Sequence, residues 1–240
     1  MIFESIEDIA KMTLIVACLY FALGAYVRRR QPAWSAPLEK RRLAVLLALV
    51  LAVSAMKVTE DVLGGEAGPI DKAILIVIRN HVPTELTGFL ESLTYTGSSE
   101  VLFPLAVAAT IALLCARMRF EALLLAASVS SAAIVVYVIK LAVGRARPVL
   151  WETVSYWGSS FPSGHTLVVA AFATAAALCV TRKWPAARGF AFAIALAWIM
   201  LVAFSRLALG VHWPTDVLVA ACIGVFLPLM MHVALEARFP

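Results

Sequence analysis

The sequence predicts an all-α fold, a polytopic bundle of transmembrane helices, and three observations carry that expectation. Of 240 residues, 62 % are hydrophobic and 15 % charged, against roughly 45–50 % and about 25 % in an average soluble domain. Apolar runs of spanning length recur along the chain, each close to the roughly 20 residues that a helix needs to cross a hydrocarbon core of about 30 Å. Lys and Arg concentrate in alternate links between the runs, as they do in cytoplasmic loops.

Seven runs qualify, at 9–27, 43–61, 100–117, 120–141, 164–181, 189–209 and 215–236. The first is a retained helix and not a signal peptide. Its leading segment, Glu4 to Asp8, is acidic, and Arg28-Arg29-Arg30 stands where a small-residue cleavage site would be. Arg28-Arg29-Arg30 through Lys40-Arg41-Arg42 forms the first basic link, Arg117 with Arg119 the second, and Arg182-Lys183 with Arg188 the third. Placing these links and Arg238 in the cytoplasm alternates over seven crossings and puts the N-terminus outside. Glu39, Glu121 and Glu236 then lie inside.

Residues 62–99 form the one longer outer link. Gly64-Gly65, Gly68-Pro69 and Pro83 punctuate it, and Leu86, Phe89, Leu90 and Leu93 recur at helical spacing. Two short amphipathic helices in the membrane interface are expected, as a rim for a lipid headgroup or as a packed connector. His81 in this link reads as solvent-facing or capping. Cys18, Cys115, Cys179 and Cys222 fall in four different runs with no paired spacing, so they are expected to be buried small hydrophobes. The net charge of +5 is spent on topology and on anionic headgroups, which makes the lipid bilayer the expected anionic partner and disfavours nucleic acid.

Polar residues stand at the outer ends of the runs. Lys140 ends one helix and Arg147-Pro148 follows, with Gly144 and Pro148 marking where the helix stops. Phe161-Pro162-Ser163-Gly164-His165 precedes the next: a serine placed as N-cap, a glycine open to a ligand and free amides describe a seat for an anion. Ser205-Arg206 closes a further helix, His212 lies on the turn after it, and Thr215 and Asp216 read as cap and first turn of the last. Asp216, four residues beyond His212, is placed to accept from one imidazole nitrogen and leave the other nucleophilic. Arg145 is a candidate contact for a second phosphate or headgroup, Ser205 for support of Arg206 or a helix-end cap, and His232 for core packing.

The spacings Lys-x6-Arg-Pro, Pro-Ser-Gly-His and Ser-Arg-x5-His-x3-Asp, in that order over residues 140–216, resemble the type 2 phosphatidic acid phosphatase family of membrane enzymes. The resemblance implies a six-helix phosphatase core over 43–240, including the 62–99 interfacial segment. Residues 1–42 then add an extra N-terminal transmembrane helix and a basic cytoplasmic loop. It implies His212 as nucleophile forming a phosphohistidine, Asp216 orienting it, and His165 as proton donor and then base. Lys140, Arg147, Ser163, Gly164 and Arg206 would bind the phosphoryl group, and no cofactor or metal is expected. The expected substrate is a membrane lipid phosphate: undecaprenyl diphosphate, phosphatidic acid or phosphatidylglycerophosphate. The site would face outward from a bacterial cytoplasmic (inner) membrane. Phosphoryl transfer to a lipid or sugar acceptor is the alternative, and a lipid transporter a more distant one.

Overall fold

Backbone amides and carbonyls in hydrocarbon need partners within their own segment, so each apolar run has to become a helix. The computed structural model describes residues 2–31, 34–150 and 158–238, and every run is helical. In chain order the helices are α1 (Ile2–Arg30), α2 (Ser35–Lys40), α3 (Arg42–Gly64), α4 (Gly68–His81), α5 (Thr87–Tyr95), α6 (Ser99–Cys115), α7 (Arg119–Val143), α8 (Gly164–Lys183), α9 (Arg188–Ala208) and α10 (Pro214–Arg238). Among the described residues there is no strand. Seven helical stretches are long and apolar enough to cross a membrane, the third of them combining α5 and α6, and the protein is a multi-pass membrane protein.

Burial ranks the helices. Of the most apolar stretch of α8, 67 % is buried, against 50 % for α10 and none for α1. α8 is therefore the central post and α1 a peripheral addition, leaning on α2 and α3. α8 achieves this with small side chains, Ala170, Ala171, Ala173, Ala175 and Ala177, which let α7, α9 and α10 approach closely. The tightest approach is at Gly224 of α10, where a Cβ would lie 2.5 Å from both Ala170 Cβ and Leu167 O. Gly224→Val is expected to push α10 off α8 and cost about 1–3 kcal/mol or more. Thermal melting in detergent checks this, and an unchanged melting temperature would contradict the close approach.

The two ends of the bundle differ in chemistry. At one end Arg41 grips Glu236 in bidentate fashion, Nε to Oε2 at 2.9 Å and Nη2 to Oε1 at 2.7 Å. Beside it Arg182 Nε lies 3.2 Å from Glu121 Oε1, with its guanidinium 3.9 Å above the Phe120 ring. His232 is buried beneath, edge-on to Phe120 and 3.7 Å from Glu236, so it packs in the core as the sequence suggested. Lys40, Arg41 and Arg182 thus meet Glu236 near the end of α10, and Glu121 joins them through Arg182. All the charged partners here belong to the expected cytoplasmic side.

The 62–99 link holds two helices, as expected, and both are packed. α4 buries Asp71 and Leu75, and α5 buries Leu90 and Thr94 against α9. His81 is exposed and lies 2.8 Å from Val77 O. The cysteines depart from expectation: Cys179 and Cys222 are buried, but Cys18 and Cys115 are exposed. They lie on peripheral faces of α1 and α6, where an apolar side chain meets lipid and not a neighbouring helix.

Candidate active site

Three hydrogen bonds, two of them between backbone groups, draw the polar motifs together at the end of the bundle opposite the Arg41–Glu236 pair. α7 stops at Val143, with Gly144 in the left-handed region, and the chain leaves the helix before Arg147 as the sequence suggested. Ser160 N then donates to Arg145 O at 2.8 Å and Ser160 Oγ to Ala146 O at 3.1 Å. Ser163 N donates to Asp216 O at 3.2 Å, which joins the start of α8 to the start of α10. At the end of α9, Gly210 (φ 67°) accepts a conformation that strains other residues. Gly210 N bonds Leu207 O and Val211 N bonds Arg206 O, a glycine-terminated helix end that turns His212 inward.

His212 is 1 % exposed. Its Nδ1 lies 3.5 Å from Asp216 Oδ2, longer than a good hydrogen bond, and its Nε2 lies 3.4 Å from Arg147 Nη1. Burial holds the imidazole down to about 4; Arg206 and Arg147 act in the same direction and Asp216 opposes them. The ring is therefore neutral at physiological pH. With the carboxylate on the Nδ1 side, Nε2 is the nitrogen assigned the lone pair. Contacts of this kind are often long without substrate and shorten in the reacting complex.

The cations surround it. Arg206 is 1 % exposed and the largest fully buried side chain, with Nη1 donating to Thr94 Oγ1 at 2.9 Å. Arg147 Nη1 also donates to Val211 O at 2.8 Å, and Lys140 Nζ to Ser159 O at 2.8 Å. His165, half-buried in the first turn of α8, lies within electrostatic reach of Arg206, His212, Lys140 and Arg147. Lys140 in turn feels Arg147, Asp216 and Arg206. Lys140, Arg147 and Arg206 thus gather around the two histidines, an excess of positive charge suited to an anion. Among the described residues, no three His, Cys, Asp or Glu side chains converge as a metal site.

Several sequence expectations change. Ser163 occupies the N-cap position of α8, but its hydroxyl makes no cap. It lies instead 3.1 Å from Thr166 Oγ1, a neighbour that competes for it. Gly164 has room for a methyl against the protein, since a Cβ would sit 3.5 Å from Val136, so packing does not explain the glycine. Asp216 plays the helix-start role expected of Thr215: its Oδ2 accepts from Trp213 N at 2.9 Å, while the Thr215 hydroxyl donates to Asp71 at 2.6 Å. Ser205 donates to Val202 O at 2.7 Å, within its own helix. Arg145 is not held out for a headgroup, because it is engaged by two carboxylates, Asp71 at 2.7 Å and Asp216 at 2.5 Å.

Asp71 and Thr94 are site residues the sequence did not announce. Asp71 shares a helix face with Leu75 and Ile78, and an acid on the apolar stripe of an amphipathic helix was its only signal. Thr94 follows Leu90 by one turn on the buried face of α5, where nothing distinguishes it from a packing residue.

The model of the PAP2 superfamily matches residues 121–240, which include all three motifs. Phosphatidylglycerophosphatase B of Escherichia coli K12 is 45 % identical over 74 residues, 29 % of this chain, and the match spans 28 % of that protein's length. The undecaprenyl-diphosphatase of Sulfolobus acidocaldarius is 35 % identical over 81 residues, 34 % of this chain and 35 % of its own. In fold, the chain resembles the crystal structure of a transmembrane PAP2 type phosphatidylglycerolphosphate phosphatase from Bacillus subtilis. The TM-score is 0.70 at 24 % identity, over 77 % of this chain and 93 % of that one.

Proposed function

The chain belongs to the PAP2 superfamily, and on that premise we propose that it is an integral membrane lipid phosphatase. It hydrolyses a lipid phosphomonoester or diphosphate through a phosphohistidine, at the outer face of a bacterial cytoplasmic membrane. The observation that carries the reading is His212: a buried imidazole between Asp216 and Arg147. Undecaprenyl diphosphate, phosphatidic acid and phosphatidylglycerophosphate are the substrates to which this chemistry applies. Residues 43–240 are read as the six-helix core and 1–42 as an addition to it.

In the proposed reaction His212 Nε2 attacks the terminal phosphorus, the N–P bond forms, and the bond from that phosphorus to the leaving oxygen breaks. The leaving group is the lipid alcohol for a monoester and the lipid monophosphate for a diphosphate. His165, protonated as the imidazolium when the phosphate anion is bound beside it, gives the leaving oxygen its proton and becomes neutral. Water then attacks the phosphohistidine, His165 takes the proton from it, and breaking the N–P bond releases orthophosphate and restores neutral His212. Lys140, Arg147, Arg206, Ser163 and the Gly164 amide hold the phosphoryl oxygens as charge builds on them. Arg147 covers Nε2, so substrate entry requires its guanidinium to exchange the imidazole for a phosphoryl oxygen.

The outward orientation is supported by the opposite end of the bundle, where Arg41, Lys40 and Arg182 gather around Glu236. Links rich in Lys and Arg favour the cytoplasm, and three of them lie at or near that end, which supports an outward-facing His212.

Phosphate release from the three lipids in detergent with EDTA present tests the function. Release from at least one, undiminished by EDTA, is expected; release from none would end the proposal. The pH profile tests the nucleophile. Protonation removes the lone pair of His212, and in the free enzyme this occurs near pH 4 and not at the ordinary 6.5. The acid limb of kcat/KM is therefore expected near pH 4, since kcat/KM reports the free enzyme. A limb at about 6.5 that does not move between substrates of different phosphate pKa would show that His212 is not held neutral by its surroundings. The same depression means that the unfolded chain binds the extra proton first. The stability due to neutral His212 is thus complete above about 6.5 and declines as pH falls toward 4.

A further inference from the structure

α4 lies outside the three motifs and before the residues matched by the superfamily model, yet it sends a fully buried carboxylate into the site. Asp71 Oδ2 accepts from Arg145 Nη2 at 2.7 Å and from Thr215 Oγ1 at 2.6 Å, and Oδ1 accepts from Thr215 N at 3.0 Å. Arg145 Nη1 closes the ring by donating to Thr215 Oγ1 at 2.8 Å. The Thr215 hydroxyl accepts from Arg145 and gives its single proton to Asp71, so the three side chains are mutually satisfied. The same Arg145 nitrogen donates to Asp216 Oδ1 at 2.5 Å, and the other oxygen of Asp216 faces His212.

We propose that Asp71 is a positioning residue for the phosphoryl-transfer site: through Arg145 and Thr215 it fixes the carboxylate that orients His212. The inference rests on the proposed role of His212 as nucleophile. Two physical arguments support it. First, a buried ion cluster is a poor source of stability, because the desolvation of each charge offsets the attraction; stability alone is a weak reason for an aspartate at 0 % exposure. Second, the charges balance in a useful way. Arg145 stands between two carboxylates, so Asp71 neutralises it and Asp216 keeps its negative charge for the Nδ1 proton and for the cation that forms when Nε2 bonds to phosphorus. Without the Asp71 charge, Arg145 would draw on Asp216 alone and weaken its hold on the imidazole. Geometry adds to charge: Asp71 binds both the backbone and the side chain of Thr215, the residue immediately before Asp216.

The test is a double-mutant cycle on the full-length protein in detergent, with Asp71→Asn made alone and in an Asp216→Asn background. Asparagine keeps the shape and removes the charge. Asp71→Asn alone is expected to lower kcat about tenfold or more with KM within about threefold, a smaller loss than the roughly 10⁴-fold that removing an orienting carboxylate costs in a hydrolase triad. In the Asp216→Asn background the further loss should be less than about threefold, because the route from Asp71 to His212 is already cut. An unchanged kcat in the single variant, or a loss that multiplies in full in the Asp216→Asn background, would overturn the inference. A merely structural aspartate gives the second pattern. If Asp71→Asn does not fold, Thr215→Val, which deletes one of the three bonds to Asp71, enters the same cycle with the same expectation and the same contradicting result. Wild-type protein inactive on every lipid would instead refute the phosphatase reading, so the two failures are distinct.

Discussion

His212→Ala is expected to reduce phosphate release by about 10³-fold or more, because an enzyme that works through a covalent intermediate loses its route when the nucleophile is removed. The loss should appear in kcat and not in KM. The cations and the α8 N-terminus that would bind the phosphoryl group are untouched, so the variant should still retain lipid phosphate. His212 is 1 % exposed, and alanine there leaves space among charged groups, where water can enter. The protein is expected to remain folded, as judged by its elution and its helical content in detergent. A folded His212→Ala protein with wild-type turnover would show that another group attacks phosphorus.

Arg206→Ala is the second large effect. Arg206 is almost wholly enclosed, and its Nη1 is committed to Thr94, which fixes the guanidinium beside His212 and His165. A preorganised donor aimed at developing phosphoryl charge is typically worth about 10²–10³ in rate, and kcat/KM should fall by that amount. Arg206→Lys should recover little of it, since a point charge has no planar fork with which to hold Thr94 while facing a phosphoryl oxygen. Thr94→Val separates the two contributions: it leaves the cation and removes its anchor, so a smaller loss is expected than for Arg206→Ala. Kinetics for the three variants on one lipid would decide. Near-equal kcat/KM for wild type and Arg206→Ala would remove Arg206 from the transition state.

What the sequence made legible was local. Spanning helices announce themselves because hydrocarbon permits few other structures, and the ends of α3, α7, α8, α9 and α10 fall within about three residues of where charge, glycine and proline placed them. The convergence of Lys140, Arg147, His165, Arg206, His212 and Asp216 also followed from topology, because alternate crossings bring these helix ends and the turns beside them to one end of the bundle. Partners far away in sequence stayed hidden. Asp71 and Thr215 are 144 residues apart, and Thr94 and Arg206 are 112 apart; no spacing rule joins them. The partners of Arg145, a candidate ligand contact from sequence, stayed hidden for the same reason. A cation beside a phosphate motif suggests a ligand contact until the acid that holds it is found on another helix. Thr215 looked like a cap because a threonine before an acid at a helix start usually is one, and only the buried Asp71 shows where its hydroxyl goes.

The most direct test of the central claim is to trap the intermediate. His165→Ala should slow release of the phosphoenzyme more than its formation whenever the leaving group is already a good one, as diphosphates provide. Protein reacted with undecaprenyl diphosphate, quenched in alkali to preserve phosphohistidine and mapped by mass, is expected to carry one acid-labile phosphate on the peptide containing His212. The amount should be greater in His165→Ala than in wild type, and none should form in His212→Ala. Turnover with no phosphate on protein, or phosphate on His165 in place of His212, would contradict the account.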